Sequence, residues 1–235
     1  MPDPRREPWL PSPPLSESEL LAQARRLAGL ALGELARLLD QPVPRDLRSA
    51  KGWVGQLLET ALGASASARP EPDFRHIGVE LKTLPLNARG EPRESTYVCT
   101  VPLTGNTGLH WETSWVRRKL ARVLWMPVEA DAAIPLGERR LGMPLLWSPE
   151  PAEEAILRQD WEELMEMVVT GRLEELSARH GTWLQIRPKA ANARARCHGY
   201  DAEGHLTETL PRGFYLRAAF TRRLLENHYR RPASG

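Results

Sequence analysis

DFRHIGVELKT, residues 73–83, has an apolar strand pattern that is interrupted by Asp73, Glu80 and Lys82. IGVELKTLPL predicts a β-strand, and its period-2 alternation places Glu80 and Lys82 on one face and Val79 and Leu81 on the other. STYVCTVPL is its expected antiparallel neighbour, across a turn at residues 87–90. The charges on one face of this strand therefore need a chemical explanation.

Two carboxylates beside a lysine are suited to phosphodiester cleavage by a hard cation, because oxygen ligands hold Mg²⁺ while the metal polarises phosphate and water. Asp73 and Glu80 are the candidate metal ligands, with the backbone carbonyl of Leu81 as a third. Lys82 could orient the attacking water or neutralise charge on the phosphate, and Glu59 could approach the same region. The alternatives are an exposed Glu and Lys pair on a strand and, for Glu59, a solvent-facing helix position.

Helices are predicted before this strand. Ser16 with Glu19 forms a capping-box signature ahead of LLAQARRLAGLALGELARLL, which a break near Gly29 divides into two helices. KGWVGQLLETALGA predicts a third helix that ends at Gly63, with Glu59 roughly opposite its apolar stripe. The chain thus begins as helices and then enters the strand.

Helices and strands alternate in the remainder. ETSWVRRKLARVL predicts a helix with a basic side, VLWMPVE and PLLWSP predict strands, and PEPAEEAILRQDWEELMEMVVTG predicts the longest amphipathic helix. WLQIRPKA and GFYLR predict further strands before a basic helix in AAFTRRLLENHYRR. The pattern favours a mixed α/β domain over residues 16–235, after a proline-rich tail at 1–15.

Composition excludes several classes of protein. Hydrophobic residues make up 41% and charged residues 26% of the chain, and no apolar run approaches the ~20 residues that span a bilayer. The first residues lack the apolar region of a secretory signal, so we expect a cytoplasmic protein without a membrane partner. Cys99 and Cys197 lack the spacing of a zinc site and are expected to be plain thiols.

Charge and lysine usage point to a polyanion. Residues 181–235 carry a net charge of +6, against −4 for the rest, which is typical of a nucleic-acid partner, although a solvated basic face has the same signature. RPKAANARAR, residues 187–196, suits phosphate contact or groove reading but also an ordinary basic loop. Only four of the 32 basic residues are lysines. In a chain so rich in arginine, a lysine marks a place where a planar guanidinium is not equivalent to a compact ammonium. Those four are Lys51, Lys82, Lys119 and Lys189.

DFRHIGVELKT, with KGWVGQLLETALGASA before it and PLTGNTGLHWETSWVRRKLARVLWMPVE after it, resembles the MutH family of mismatch-repair endonucleases. QDWEELMEMVV, RHGTWLQIRPKAANA and LPRGFYL are similar to that family in order and spacing, so the resemblance covers about residues 16–225 and weakens over 193–208 and at the termini. It implies a type II restriction-endonuclease-like fold, in which helices flank a mixed central sheet and two lobes surround a DNA cleft.

The resemblance also implies an activity. Family members nick the unmethylated strand of double-stranded DNA at hemimethylated GATC sites, with Mg²⁺ as cofactor and Mn²⁺ as a substitute. The expected protein is a monomer whose single active site suits a nick. The expected partners are MutL, which activates it in the ATP-bound form, and MutS, which finds the mismatch.

Site residues follow from the family motif. The D-x6-E-x-K pattern falls on Asp73, Glu80 and Lys82, and the supporting residues fall on Glu59 and Lys119. The implied DNA-binding residues are Lys51, Gly52, Tyr97, Arg187, Pro188, Lys189 and Tyr215.

Two of these positions have a specific implied role. The resemblance assigns Arg187 to base reading, where a guanidinium suits guanine O6 and N7 in the major groove. It places Tyr215 near the adenine whose N6-methylation is sensed, and Tyr97 stands at a position open to Phe in the family. Two alternatives stay open, a restriction-type GATC endonuclease that ignores methylation and a DNA-binding module without catalysis.

Overall fold

The computed structural model describes residues 12–47, 50–64, 71–189 and 194–230. Most of the proline-rich tail predicted at 1–15 lies outside these residues. The chain divides into two compact units, each made of two separate segments. The first unit comprises Met1–Arg93 and Arg122–Trp147, and the second comprises Glu94–Ala121 and Ser148–Gly235. Across the described ranges, no helix is long and apolar enough to cross a membrane.

Helices and strands alternate as a mixed α/β chain. The helices are α1 Glu17–Leu27, α2 Leu32–Leu38, α3 Trp53–Ala61, α4 Trp115–Leu120, α5 Pro151–Val169 and α6 Ala218–Arg230. The strands are β1 Glu80–Leu86, β2 Thr96–Thr100, β3 Val123–Glu129, β4 Leu145–Trp147, β5 Leu184–Pro188, β6 Cys197–Tyr200, β7 Leu206–Thr209 and β8 Arg212–Leu216.

The helix boundaries of the first unit confirm the capping and glycine signals. Ser16 is the N-cap of α1, and its hydroxyl accepts a hydrogen bond from the backbone N–H of Glu19 at 3.2 Å. The Glu19 carboxylate in turn accepts from the N–H of Leu15 at 2.8 Å, one residue before the cap. Gly29, at φ +84°, separates α1 from α2, because a positive φ is accessible to glycine at little cost.

The pairing predicted for β1 was wrong. β1 pairs in parallel with β3, and β3 pairs antiparallel with β4, whereas β2 belongs to a sheet of the second unit. The turn at 87–90 does form, since the N–H of Gly90 bonds to the carbonyl of Asn87 at 2.9 Å. The turn brings together only one bridged pair, Leu86 and Pro92. Because a proline has no N–H to donate, the pairing does not extend into a ladder.

The alternation predicted for β1 is confirmed. Val79 and Leu81 are buried and belong to the apolar core that α1, α2 and α3 cover, together with Leu124 and Met126 of β3. The first unit thus buries one face of its sheet under helices, as amphipathic helices require. Its fully buried helical members include Leu20, Leu27, Leu32, Leu35, Leu57 and Leu58.

The second unit contains a three-stranded antiparallel sheet in the order β2, β8, β5 and a separate hairpin of β6 and β7. One sheet face is apolar, because Leu184, Phe214 and Leu216 are almost fully buried. The long helix α5 packs against β5. Its inward stripe largely matches the prediction, although Val169 is 54% exposed and Asp160 is buried.

Candidate functional site

A tight loop brings the two predicted metal ligands together. Phe74 and Val79 exchange backbone hydrogen bonds of 2.9 and 3.2 Å around a 3₁₀ turn, Arg75–Ile77, and Gly78 closes the turn at φ +68°. Phe74 and Val79 are both buried in the core. This pairing closes a loop of six residues, 74–79, and places Asp73 and Glu80 on either side of it. The six residues between the two acids of the motif are therefore the residues of this loop.

Asp73, Glu80 and Lys82 meet where β1 begins. Asp73 Oδ2 accepts a hydrogen bond from the backbone N–H of Leu81 at 2.8 Å. Glu80 is only 3% exposed, and its Oε1 lies 2.6 Å from the Lys82 Nζ. The contacts thus bring the Asp73 carboxylate to the backbone of Leu81 and the Glu80 carboxylate to Lys82.

β3 supports this cluster from the side. The N–H of Glu80 donates to the carbonyl of Arg122 at 2.9 Å, and Lys82 stands in register with the fully buried Trp125. Because both partners of the Glu80 and Lys82 pair are largely withdrawn from water, each charge depends on the other. Removal of one partner would leave an uncompensated charge in the protein.

The ligand set is suited to a hard cation. Asp73 and Glu80 supply carboxylate oxygens, and Leu81 between them and Lys82 supplies a backbone carbonyl, the donor chemistry that Mg²⁺ prefers. Glu59 is half-buried in α3, which packs against β1. Within the described ranges, no three His, Cys, Asp or Glu side chains form a group that could hold a metal, so Glu59 does not complete one.

The remaining predicted basic residues occupy other elements. Lys51 and Gly52 are exposed just before α3, with Gly52 at φ +86° as its N-cap. Lys119 is half-buried in α4 of the second unit, whereas Asp73, Glu80 and Lys82 belong to the first.

The second unit assembles an aromatic and cationic surface from residues far apart in sequence. Tyr97 of β2 pairs with Tyr215 of β8, and their rings meet edge to face with centroids 5.4 Å apart. The Lys189 Nζ lies 3.4 Å from the Tyr97 ring centroid, and the Arg187 guanidinium lies 5.8 Å from that of Tyr215. Cations over aromatic faces are attracted by the ring quadrupole. We call these four residues the reading face, after the base-reading role that the resemblance implies for Arg187.

Pro188 lies between the two cations of the reading face. Alternation along β5 puts Arg187 and Lys189 on the same side of the strand, and the N–H of Lys189 donates to the carbonyl of Pro211 at 2.7 Å. Burial raises the pKa of the Tyr215 phenol, and the neighbouring Tyr97 raises it further, while Arg187 lowers it. The phenol therefore keeps its proton to a higher pH than an ordinary tyrosine does.

Asp160 is a structural residue that the sequence reasoning missed. Its carboxylate is 3% exposed and accepts the backbone N–H groups of Thr182, Trp183 and Leu184 at 2.7, 2.6 and 2.8 Å. These bonds fix the start of β5, the strand that carries Arg187. The signal was present, because Asp160 follows Leu157 by three residues and so falls on the apolar stripe of α5.

Comparison with known proteins assigns the family. Residues 62–160 match a family model described as "DNA mismatch repair enzyme MutH". The chain is 58% identical over 220 residues to the DNA mismatch repair protein MutH of Klebsiella pneumoniae, covering 94% of this chain and 95% of that protein. It is equally similar to the proteins of the same name from Enterobacter sp. and Salmonella paratyphi A, over 96% and 95% of their lengths. The chain belongs to the MutH family.

Membership in the MutH family agrees with the resemblance carried by the motif. The family-model match contains Asp73, Glu80 and Lys82, and it also contains Tyr97. The other three residues of the reading face, Arg187, Lys189 and Tyr215, lie beyond residue 160. Their grouping around Tyr97 is an observation of the fold that the family-model match does not supply.

Proposed function

We propose that this MutH-family chain is a Mg²⁺-dependent endonuclease that nicks the unmethylated strand of double-stranded DNA at hemimethylated GATC sites. The observation that carries the proposal is the convergence of Asp73, Glu80 and Lys82 at the start of β1. The Asp73 carboxylate lies 2.8 Å from the Leu81 backbone nitrogen, and the Lys82 ammonium lies 2.6 Å from the Glu80 carboxylate. The proposal includes a restriction-endonuclease-like arrangement with two lobes around a DNA cleft. It also includes a cytoplasmic location.

Each residue of the cluster has a part in the proposed reaction. Asp73, Glu80 and the carbonyl of Leu81 would hold Mg²⁺, or Mn²⁺ in its place, and the ion supplies Lewis-acid activation of water and phosphate. Lys82 donates to Glu80 and so fixes the carboxylate in one orientation. With DNA bound, its ammonium orients the attacking water or stabilises charge on the phosphate oxygens. Glu59 and Lys119 are proposed to support this centre.

The reading face is proposed to recognise the site. Arg187 offers two donors to guanine O6 and N7 in the major groove, and Tyr215 contacts the adenine that carries or lacks the methyl group. Tyr97, Pro188 and Lys189 complete the contact. Lys51 and Gly52, both exposed before α3, are proposed to contact the DNA backbone, where an ammonium and an accessible N–H suit a phosphate.

Regulation is proposed to come from partners. The chain would act as a monomer, and MutL would activate it after MutS finds a mismatch. A monomer with one catalytic cluster cuts one strand per binding event, which suits a nick. The family membership supports this part of the proposal.

A strand-resolved nicking assay tests the proposal. Unmethylated, hemimethylated and fully methylated GATC duplexes, each strand end-labelled differently, are incubated with Mg²⁺, with and without MutL. We expect cleavage of the unmethylated strand of the hemimethylated duplex, no cleavage of the fully methylated duplex, and stimulation by MutL. Asp73→Ala should abolish cleavage, whereas Glu71→Ala, a control that removes an exposed acid paired with Arg75, should not.

Other results would select another function. Cleavage of both strands at full rate on fully methylated DNA would indicate a restriction-type enzyme that ignores methylation. Binding to GATC without Mg²⁺ and without scission would indicate a DNA-binding module. Equal activity of wild type and Asp73→Ala would refute the assigned catalytic centre.

A further inference from the structure

Gly213 lies at the centre of the reading face. In the sheet it pairs with Thr100 of β2 on one side and with Arg187 of β5 on the other. It precedes Tyr215 by two residues, so both point to the same side of β8. Gly213 itself is buried, and the nearest atoms on its side-chain side belong to the rings of Tyr97 and Tyr215.

Space is the reason that a glycine stands here. Gly213 is not among the glycines with positive φ, so its backbone is open to any residue. A Cβ added at Gly213 would lie 2.9 Å from Tyr97 Cε2, 3.1 Å from Tyr215 Cε2 and 3.2 Å from Tyr97 Cδ2. Carbon atoms in van der Waals contact are about 3.5–4.0 Å apart. Both rings therefore occupy the volume of the missing side chain.

The rings that fill the space at Gly213 are also the rings that the two cations contact. The Lys189 ammonium contacts the Tyr97 ring, and the Arg187 guanidinium is near the Tyr215 ring. Any atom at the Gly213 Cβ position would push the rings outward or sideways. The two cation contacts would then change together, because both depend on the same pair of rings.

We propose that Gly213 is a positioning residue for base discrimination, because its missing side chain seats the Tyr97 and Tyr215 rings and through them Arg187 and Lys189. This inference rests on the proposed function, in which the reading face contacts the bases. Glycine weakens the interior of a strand, and its presence there often marks a close approach of other groups. Gly213 weakens its strand and leaves space for the rings of Tyr97 and Tyr215. This combination is expected of a residue that positions the side chains of a binding site.

Two substitutions separate this role from a structural one. Gly213→Ala and Gly213→Val place a Cβ against both tyrosine rings, so thermal melting of the two variants measures the cost of overpacking separately from discrimination between duplexes. Gly137→Ala is the matched control, because its added Cβ would approach no atom closer than 3.7 Å. Asp73, Glu80 and Lys82 are unaltered in all three variants.

The functional test measures discrimination. For each protein we compare kcat/KM on a GATC duplex and on a duplex with one base pair of the site changed. Gly213→Ala should lower the ratio at least about 10-fold, mainly through KM for the GATC duplex, and Gly213→Val should lower it further. Gly137→Ala should match wild type. Equal ratios for wild type, Gly213→Ala and Gly213→Val would overturn the inference and leave the proposed function intact.

A second measurement does not depend on DNA cleavage. Tyrosine ring signals of the free protein, assigned with Tyr→Phe variants, report the contact between Tyr97 and Tyr215 by NMR. We expect ring-to-ring cross-peaks in wild type and Gly137→Ala and their loss in Gly213→Ala. Retained cross-peaks in Gly213→Ala would overturn the inference, whatever the cleavage assay shows. Failure of wild type to discriminate between the duplexes would instead refute the proposed function.

Discussion

The proposed catalytic cluster of the first unit, which is Asp73, Glu80 and Lys82, and the reading face of the second unit are built in opposite ways. Glu80 is 3% exposed and its ion pair with Lys82 is withdrawn from water. Arg187 and Lys189 are exposed and rest on half-buried tyrosine rings. One region holds its charges by burial and hydrogen bonds, and the other holds its cations by packing against aromatic faces.

This difference separates two tasks. A buried ion pair gives a carboxylate one fixed orientation, which metal binding requires, but leaves little room for adjustment. Cations over rings remain accessible and can exchange the ring for a base edge at small cost. Substitutions in the first region should therefore act on the chemical step, and substitutions in the second should act on DNA recognition.

Among the substitutions that compare the two regions, Glu80→Ala is expected to have the largest effect. It removes a proposed metal ligand and leaves the Lys82 ammonium without its carboxylate at 2.6 Å. We expect nicking with Mg²⁺ to fall by about 10³-fold, the upper range for loss of one stabilising group in an active site. Binding to a GATC duplex, followed by fluorescence anisotropy, should change by less than about threefold because the reading face is intact.

The matched control for Glu80→Ala is Glu91→Ala, which removes an acid from the turn beyond β1. Glu91 bonds to Asn87 and lies outside the catalytic cluster, so nicking should remain close to wild type. A loss of DNA binding in Glu80→Ala as large as the loss of nicking would contradict the separation of the two regions.

Asp160→Ala shows whether the reading face also depends on a buried charge. It leaves three backbone N–H groups of residues 182–184 without their carboxylate. Since an unsatisfied buried donor costs about 1–3 kcal/mol, we expect the free energy of unfolding to fall by about 3 kcal/mol or more. Urea denaturation measures this change.

Glu163→Ala is the control for Asp160→Ala on the same helix. Glu163 is exposed and accepts one bond, from the N–H of Gly181 at 3.1 Å. Its loss should cost less than about 1 kcal/mol. If both variants were equally stable, Asp160 would not anchor β5.

Local signals made much of this molecule predictable. The amphipathic stripes predicted α1, α3 and α5, Gly29 marked a true helix break, and alternation placed Glu80 and Lys82 on one face of β1. The spacing between Asp73 and Glu80 could also be recognised, because a 3₁₀ turn and one glycine return the chain over a fixed number of residues. These features depend on neighbours in sequence.

Long-range pairing was not predictable from local patterns. β1 pairs with β3, which begins more than 35 residues later in the chain, and not with the adjacent β2. Burial of the apolar face determines this pairing, and the nearest turn does not. Gly213 went unnoticed since its role appears only when β2 and β5 lie beside β8. The same holds for the contact between Lys189 and Tyr97, which are 92 residues apart.

Arg187→Ala and Lys189→Ala should divide the reading face into two kinds of contact. If Arg187 contacts a guanine, its loss should cost about 1–3 kcal/mol of binding and relax specificity at one base. Loss of Lys189 should weaken binding to all duplexes alike and reduce the salt slope by about 1 if its ammonium contacts a phosphate. Binding to GATC and altered duplexes across a salt series measures both.

The control for this pair is Arg196→Ala. Arg196 is an exposed cation in the loop after β5, and its guanidinium donates to the carbonyl of Ala195. It should alter the salt dependence by less than Lys189→Ala and leave specificity unchanged. Identical specificity profiles for Arg187→Ala and Lys189→Ala would show that the two cations act only through charge.

Tyr97→Phe should have the smallest effect, because it keeps the ring over Gly213 and removes only a hydroxyl that bonds to Thr100 at 3.0 Å. Nicking and thermal stability at neutral pH should stay close to wild type, while Tyr97→Ala, which removes the ring, should weaken DNA binding. Alkaline pH distinguishes Tyr97→Phe from wild type. The pKa of Tyr215 is raised above its ordinary 10.0, first by burial and then by Tyr97.

The folded state therefore holds the Tyr215 proton more tightly than the unfolded chain does, so this stabilisation is complete below about pH 10 and is lost as the pH rises through the folded pKa. Without the Tyr97 phenol, the pKa of Tyr215 should move down towards its ordinary value. Absorbance titration of the phenols, with Tyr200→Phe as the control, measures that shift. An unchanged pKa of Tyr215 in Tyr97→Phe would mean that the Tyr97 phenol does not contribute to it, and the ring pair would then be coupled by packing and not by charge.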